Sequence, residues 1–207
     1  LSYGFQDFIS EKEPAVNKSM PEVQVKYRIY SETTSIPAIV IGLDTQGKGR
    51  YIKRENILGL SNFERYEQKA WGIYIVASKN WELLGNLGLH IGLNKNTWES
   101  DPYETNDKEN IFKDKDLNLF LGIDKEINRS FSFLLEYDAA INDFNPDIGY
   151  NLFGQGKGYL NAGVRWSITE NMMIEIDFND ISKNYINNEL MDGEKEYSNR
   201  ELKIIYF

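Results

Sequence analysis

Residues 41–51 read IGLDTQGKGRY, one position short of a phosphate-binding loop. The pattern G-x-x-x-x-G-K-[ST] needs a hydroxyl after the lysine to hold Mg²⁺, and Gly49 stands there. The letters QGKG return at 155–158. A P-loop lysine opens a helix, and no helical pattern follows either copy. Both are read as loop glycines that serve turns with positive φ. Two other kinds of group could do chemistry. His90 is the single histidine. Glu99-Ser100-Asp101 and Asp192-Gly193-Glu194 gather carboxylates that could hold Ca²⁺ weakly, but without EF-hand spacing. They are expected to be solvated loop charge. With no Cys, disulfides and thiolate metal sites are excluded. Formal net charge is −9, whereas a nucleic-acid groove needs a clustered basic surface. No cofactor, metal or nucleic-acid partner is expected.

The elements that must position these groups follow a period of two. The chain has 207 residues, only 5 Pro and no run of about 18 apolar residues, so no transmembrane helix is encoded. It opens Leu1-Ser2-Tyr3 with no visible signal peptide and no initiator Met, which reads as a trimmed or processed form. In 83–93, Leu87, Leu89, Ile91 and Leu93 share a face, against Asn86, Gly88, His90 and Gly92. The same alternation runs through 23–29, 117–124, 131–139, 160–168 and 172–179. Adding 2–9, 36–44, 70–79 and 198–207 gives about ten strands. Their lengths cluster near the roughly 9–11 residues that a tilted strand needs to cross a bilayer.

Connections alternate between short ones, near 31–35, 79–81, 125–129 and 169–170, and long polar ones. The long ones are near 11–21, 45–69, 94–113, 141–156 and 180–197. Outer-membrane barrels have short periplasmic turns and long extracellular loops. The expectation is an all-β fold: one antiparallel up-and-down transmembrane β-barrel of about ten strands, spanning 1–207, with both termini periplasmic. Segment 51–69 could carry a short helix above the barrel mouth.

A membrane barrel inverts the usual arrangement, with apolar side chains outward and polar ones enclosed. The aromatic girdle would comprise Trp71 and Tyr137 at the outer leaflet, and Tyr27, Phe131, Trp166 and Tyr206 at the periplasmic side. The lumen would hold Asn86, His90, Asn118 and Asn161. It would also hold Glu136, Arg165, Glu175 and Lys203, alternating in sign near mid-height on successive strands. Lys26, Arg28, Asp138 and Asp177 would extend that network. A ten-stranded interior has little room for water, so the charges should pair and plug it. His90 faces inward in this scheme, unlike the lipid-facing Ser–His pair of outer-membrane phospholipases. Omptin-type proteases need a His with acidic partners, and none stands beside His90 in the sequence. No catalytic residue is therefore assigned.

PEVQVKYRIY, IPAIVIGLDTQGKG, YIVASKNW and LGNLGLHIGLN, in that order, resemble the YjbH-like outer-membrane proteins linked to exopolysaccharide. FLLEYDAAIND at 133–143 and GYLNAGVRWSIT at 158–169 resemble that family's later strands. The similarity covers about residues 21–179 without the long loops. Two departures stand out: longer members carry further sequence, and the family's usual opening segment is missing. The resemblance implies a barrel with a role in polysaccharide export or surface organisation, and it brings no catalytic residues. Its partners would be outer-membrane lipid, the barrel-insertion machinery, and polysaccharide or another envelope protein. A narrow channel for ions or small sugars and an outer-membrane hydrolase are the alternatives. The chain ends ELKIIYF, where Leu202, Ile204 and Tyr206 make the apolar face and Phe207 falls one step out of phase.

Overall fold

The computed structural model turns the alternating segments into strands, and describes residues 2–4, 22–54, 62–101, 116–143, 157–182 and 199–206. The strands are β1 (Ser2–Gly4), β2 (Glu22–Tyr30), β3 (Ala38–Asp44), β4 (Lys48–Arg54), β5 (Phe63–Gln68) and β6 (Gly72–Glu82). They continue with β7 (Asn86–Lys95), β8 (Asn118–Asn128), β9 (Phe131–Asp138), β10 (Tyr159–Thr169), β11 (Met172–Asn179) and β12 (Asn199–Tyr206). Ten form one antiparallel sheet, ordered β1-β2-β3-β6-β7-β8-β9-β10-β11-β12. Sequence neighbours pair as in an up-and-down meander, except that β3 pairs with β6. The sheet is open: among the described residues no ladder joins β1 to β12. No described helix is long and apolar enough to cross a membrane, which says nothing of strands.

Two boundaries move. The turn expected at 79–81 lies at 83–85, because the alternation of β6 runs on to Glu82. Leu84 (φ 47°) and Gly85 (φ 94°) make it a left-handed turn that matches the strand twist. Likewise β8 continues to Asn128, leaving Arg129-Ser130 as a two-residue turn. At the turn after β2, Glu32 accepts hydrogen bonds from the Asn80 N–H (2.9 Å), the Asn80 amide (2.6 Å) and Lys79 (2.9 Å). Those bonds, the Asn80 N–H foremost, pull its carboxyl down to about 2.

Segment 51–69 is not helical where described. β4 and β5 form a separate antiparallel hairpin between β3 and β6, with Tyr51 opposite Tyr66. Both segments alternate over too few residues to bury a helical stripe, and cross-strand ring contact favours the ladder (Tyr51–Tyr66 centroids 5.0 Å). The first QGKG copy runs directly into β4, so no helix follows its lysine. Gly47 has no positive φ; it leaves room for the Tyr66 ring. In the second copy Gly158 does adopt φ 76° before β10.

The apolar face of the sheet points outward. Leu89, Leu121 and Val164 are 40%, 42% and 39% exposed, whereas Asn161 and Glu175 on the opposite face are 6% and 7% exposed. Glycine lets the inner face accept large groups: a Cβ on Gly42 would overlap the Tyr74 ring, and one on Gly92 the Phe120 ring.

Candidate functional site

Inward-facing residues of β2 and of β6 to β12 line a cavity of about 550 Å³, together with Lys48 of β4 and Trp71. Side chains on this face of the sheet therefore leave space between them. Small residues leave the space: at Gly122 an added Cβ would meet nothing nearer than His90, at 3.4 Å.

The charges on this wall form a cross-strand set. Arg165 lies directly opposite Glu175, which lies directly opposite Lys203. Arg165 donates from Nε (2.8 Å) and Nη2 (2.6 Å) to Glu175, and Lys203 reaches Glu175 (3.3 Å) and Asp177 (2.8 Å). Glu136 does not join them. Its β10 partner is Asn161, two inward positions from Arg165, and it accepts from that amide at 2.9 Å. Lys26 lines the cavity and Arg28 does not; neither makes an ion pair among the described residues. Asp138 and Asn118 lie at the long-loop end instead, where Asn118 donates to Asp138 at 2.6 Å. Asn86 is at the short-turn end, bonded to Asn80 (3.2 Å) and away from the cavity.

His90 has an acidic partner after all. Its Nε2 is 2.5 Å from Asp124, and its Nδ1 is 2.8 Å from the Ser78 hydroxyl. The three residues come from adjacent strands, so their spacing along the chain conceals the contact. The row resembles a hydrolytic triad in composition only. An acyl-transfer site needs N–H groups aimed at an oxyanion, and Ser78 lies within ladders on both sides of β6, which engage the backbone donors.

Five of the six expected girdle residues face outward: Tyr27, Phe131, Tyr137, Trp166 and Tyr206 are all exposed. Phe131 and Trp166 stack at 5.5 Å. Trp71 does not. It stacks on Phe120 (4.2 Å) and meets Tyr74 edge-on, and it lines the cavity. The register shift at Gly72, whose φ is 75°, breaks the alternation and turns the indole inward. Leu202, Ile204 and Tyr206 face outward as expected; Phe207 and Asp192-Gly193-Glu194 lie outside the described residues.

A second charged group, absent from the sequence reading, lies at the long-loop end. Arg65 of β5 is fully buried and bonds Asp101 and Asp143, the latter at 2.5 Å. Lys69 bonds Asp101 (2.8 Å) and the Asn142 carbonyl (3.0 Å). Tyr159 donates its hydroxyl to Asp143 at 2.7 Å. Glu99 accepts from the N–H groups of Tyr66 and Ala70, both at 2.7 Å, and from the Asn96 amide. Glu99 and Asp101 are thus 5% and 1% exposed rather than solvated. Among the described residues no group of three acids or histidines is arranged to hold a metal. Burial pushes the Glu99 carboxyl up to about 7, against the pull of Arg65, the Ala70 N–H and Lys69. It raises Asp143 in the same way, while the facing carboxylates hold Arg65 well above its usual range despite burial. Lys48 of β4 donates to Asn179 of β11, 3.0 Å away.

No family model matches this chain, nor does any curated protein or any solved structure.

Proposed function

We propose that this chain is a bacterial outer-membrane β-barrel that catalyses no reaction. Its role would be that of an envelope component linked to polysaccharide export or surface organisation, or the anchor of a larger assembly. The observation that carries the membrane reading is the inverted sheet: a continuous apolar face is exposed while ion pairs line a cavity on the opposite face. In water, exposed apolar patches above a few hundred Å² are rare outside interaction or membrane surfaces. In a bilayer, the same face meets hydrocarbon and the enclosed charges avoid it. Long polar loops and a docked hairpin would then lie on the extracellular side, with the short turns and both termini in the periplasm.

The test is extraction. The protein should leave a membrane fraction only with detergent, insert into lipid vesicles and run faster on gels before boiling than after. A monomer that stays soluble without detergent overturns the reading. The polysaccharide link rests on the resemblance in β2 to β10. Native protein isolated from membranes should bring a glycan or an envelope protein with it; clean isolation in isolated form, with unchanged surface polysaccharide in cells lacking the gene, would remove that link.

A second reading, a narrow channel for ions or small sugars, is favoured by the polar cavity, whose volume is ample for a small solute. Planar-bilayer recording separates the two. A hydrolase centred on His90 has the least support, because Ser78 and Asp124 flank the imidazole without an oxyanion site.

A further inference from the structure

We propose that the cavity binds a short zwitterionic peptide, with its ammonium held by Glu136 and its carboxylate by Lys26. Both residues sit on strands of the sheet, so the site does not depend on whether the sheet crosses a membrane.

The other charges on the cavity wall are matched by a neighbour. Arg165, Glu175 and Lys203 stand opposite one another on β10, β11 and β12, and Lys203 also bonds Asp177. Asp124 pairs with His90, and Lys48 donates to Asn179. Lys26 makes no hydrogen bond or ion pair among the described residues. Glu136 accepts one hydrogen bond, from the Asn161 amide at 2.9 Å, and forms no ion pair among the described residues.

Cross-strand register accounts for the difference. Lys26 stands opposite Gly42 on β3, and Glu136 opposite Gly122 on β8. Glycine offers no counter-ion, and on its other side Glu136 has only the neutral Asn161. Glycine also keeps the wall low. The Tyr74 ring lies over Gly42, the Phe120 ring over Gly92, the Asp124 carboxylate over Gly88 and the Asp177 carboxylate over Gly163; an added Cβ would overlap each of them. Large inward side chains thus lie along the wall rather than across the space, and about 550 Å³ stays open beside Lys26 and Glu136.

Lys26 and Glu136 carry opposite signs, so the complement that satisfies both is one molecule with an ammonium and a carboxylate. In sheet order β9 is five strands from β2, about 24 Å along the sheet at about 4.8 Å per step. Both residues nevertheless line one cavity, so the sheet curls and they approach the space from different walls. That separation favours an extended molecule over a single amino acid, whose two charged groups share one carbon. A chain of two or three residues spans about 7–10 Å when extended. The cavity lies in the size range that encloses small ligands.

The test is calorimetric titration of the full chain, in detergent micelles, with triglycine. Triglycine should bind saturably. Capping either end, as N-acetyl-triglycine or as triglycine amide, should weaken binding by about tenfold or more. Lys26→Met and Glu136→Gln should each do the same. Both should fold, because Lys26 has no bond to lose and glutamine keeps an oxygen for the Asn161 amide. The exchanged pair, Lys26→Glu with Glu136→Lys, should recover most of the loss with the peptide reversed, which a merely structural role of either residue would not produce. Absence of saturable binding, equal binding of the capped peptides, or unchanged affinity in Lys26→Met overturns the site. Should the exchanged pair not fold, the capped peptides decide alone. Binding by a protein that does not enter vesicles keeps the site and removes the barrel; insertion without binding does the reverse.

Discussion

Arg65→Met tests whether the buried charges hold the hairpin down. Arg65 is fully buried and donates to Asp101, to Asp143 and, from Nε, to the Tyr66 carbonyl (2.8 Å). Methionine keeps an unbranched stem and removes only the charged fork. Stranding a buried charge typically costs about 3–5 kcal/mol. Two carboxylates lose a cation here, yet Asp101 keeps Lys69 (2.8 Å) and Asp143 keeps the Tyr159 hydroxyl (2.7 Å). Asp143, already raised by burial, can also escape by taking up a proton. The expected loss is therefore about 4 kcal/mol rather than twice that. Adding Asp143→Asn neutralises the worse-off partner and should restore about 2 kcal/mol, leaving Lys69–Asp101 as a balanced pair. Urea unfolding in detergent micelles, followed by tryptophan fluorescence and by protease cleavage near the hairpin, measures both steps. A single variant within about 1 kcal/mol of wild type, or a double variant less stable than the single, would refute the argument.

Two further expectations follow from other parts of the sheet. Arg165→Leu should cost only about 1–2 kcal/mol in the same assay, because Arg165 is partly exposed and Lys203 still holds Glu175; a loss as large as that of Arg65→Met would contradict the difference in burial. Glu99 sets a pH dependence. Its carboxyl lies near 4.5 when unfolded and is pushed up to about 7 when buried. Its contribution is therefore complete below about pH 4.5 and is lost as pH rises through 7, with Asp143 acting in the same direction between Arg65, Lys69 and Asp101. Hairpin protection from protease should fall between pH 5 and 8, and a rise instead would show that the hydrogen bonds to Glu99 outweigh its desolvation.

The inward face that Arg165 and Glu175 take was legible from the alternation within each one's own strand. The two-residue turn alone would set Arg165 against Ile176; the bulge between Ser167 and Thr169 shifts the register by one and puts it against Glu175. Parity failed at Trp71, where the register shift at Gly72 reverses the face, and a bulge leaves no mark that glycine alone would reveal. It could not reveal Asp124 beside His90, since that contact depends on which strands become neighbours. Nor could it reveal the buried charged group. Asp101 and Asp143 lie 36 and 78 residues from Arg65 in the chain, in connections without a period. The only hint is an arginine placed among the aromatic residues of Phe63-Glu64-Arg65-Tyr66.

What the sequence determined by itself was the strands, their antiparallel succession and the chemistry of each face. These follow from an alternation that the covalent geometry of an extended chain enforces residue by residue. What only the tertiary structure decided was which loops meet above the sheet, that a hairpin stands where a helix was expected, and that the interior keeps a cavity. Those depend on distances between segments far apart in the chain, and on how much volume opposing side chains leave unfilled, which no local pattern records.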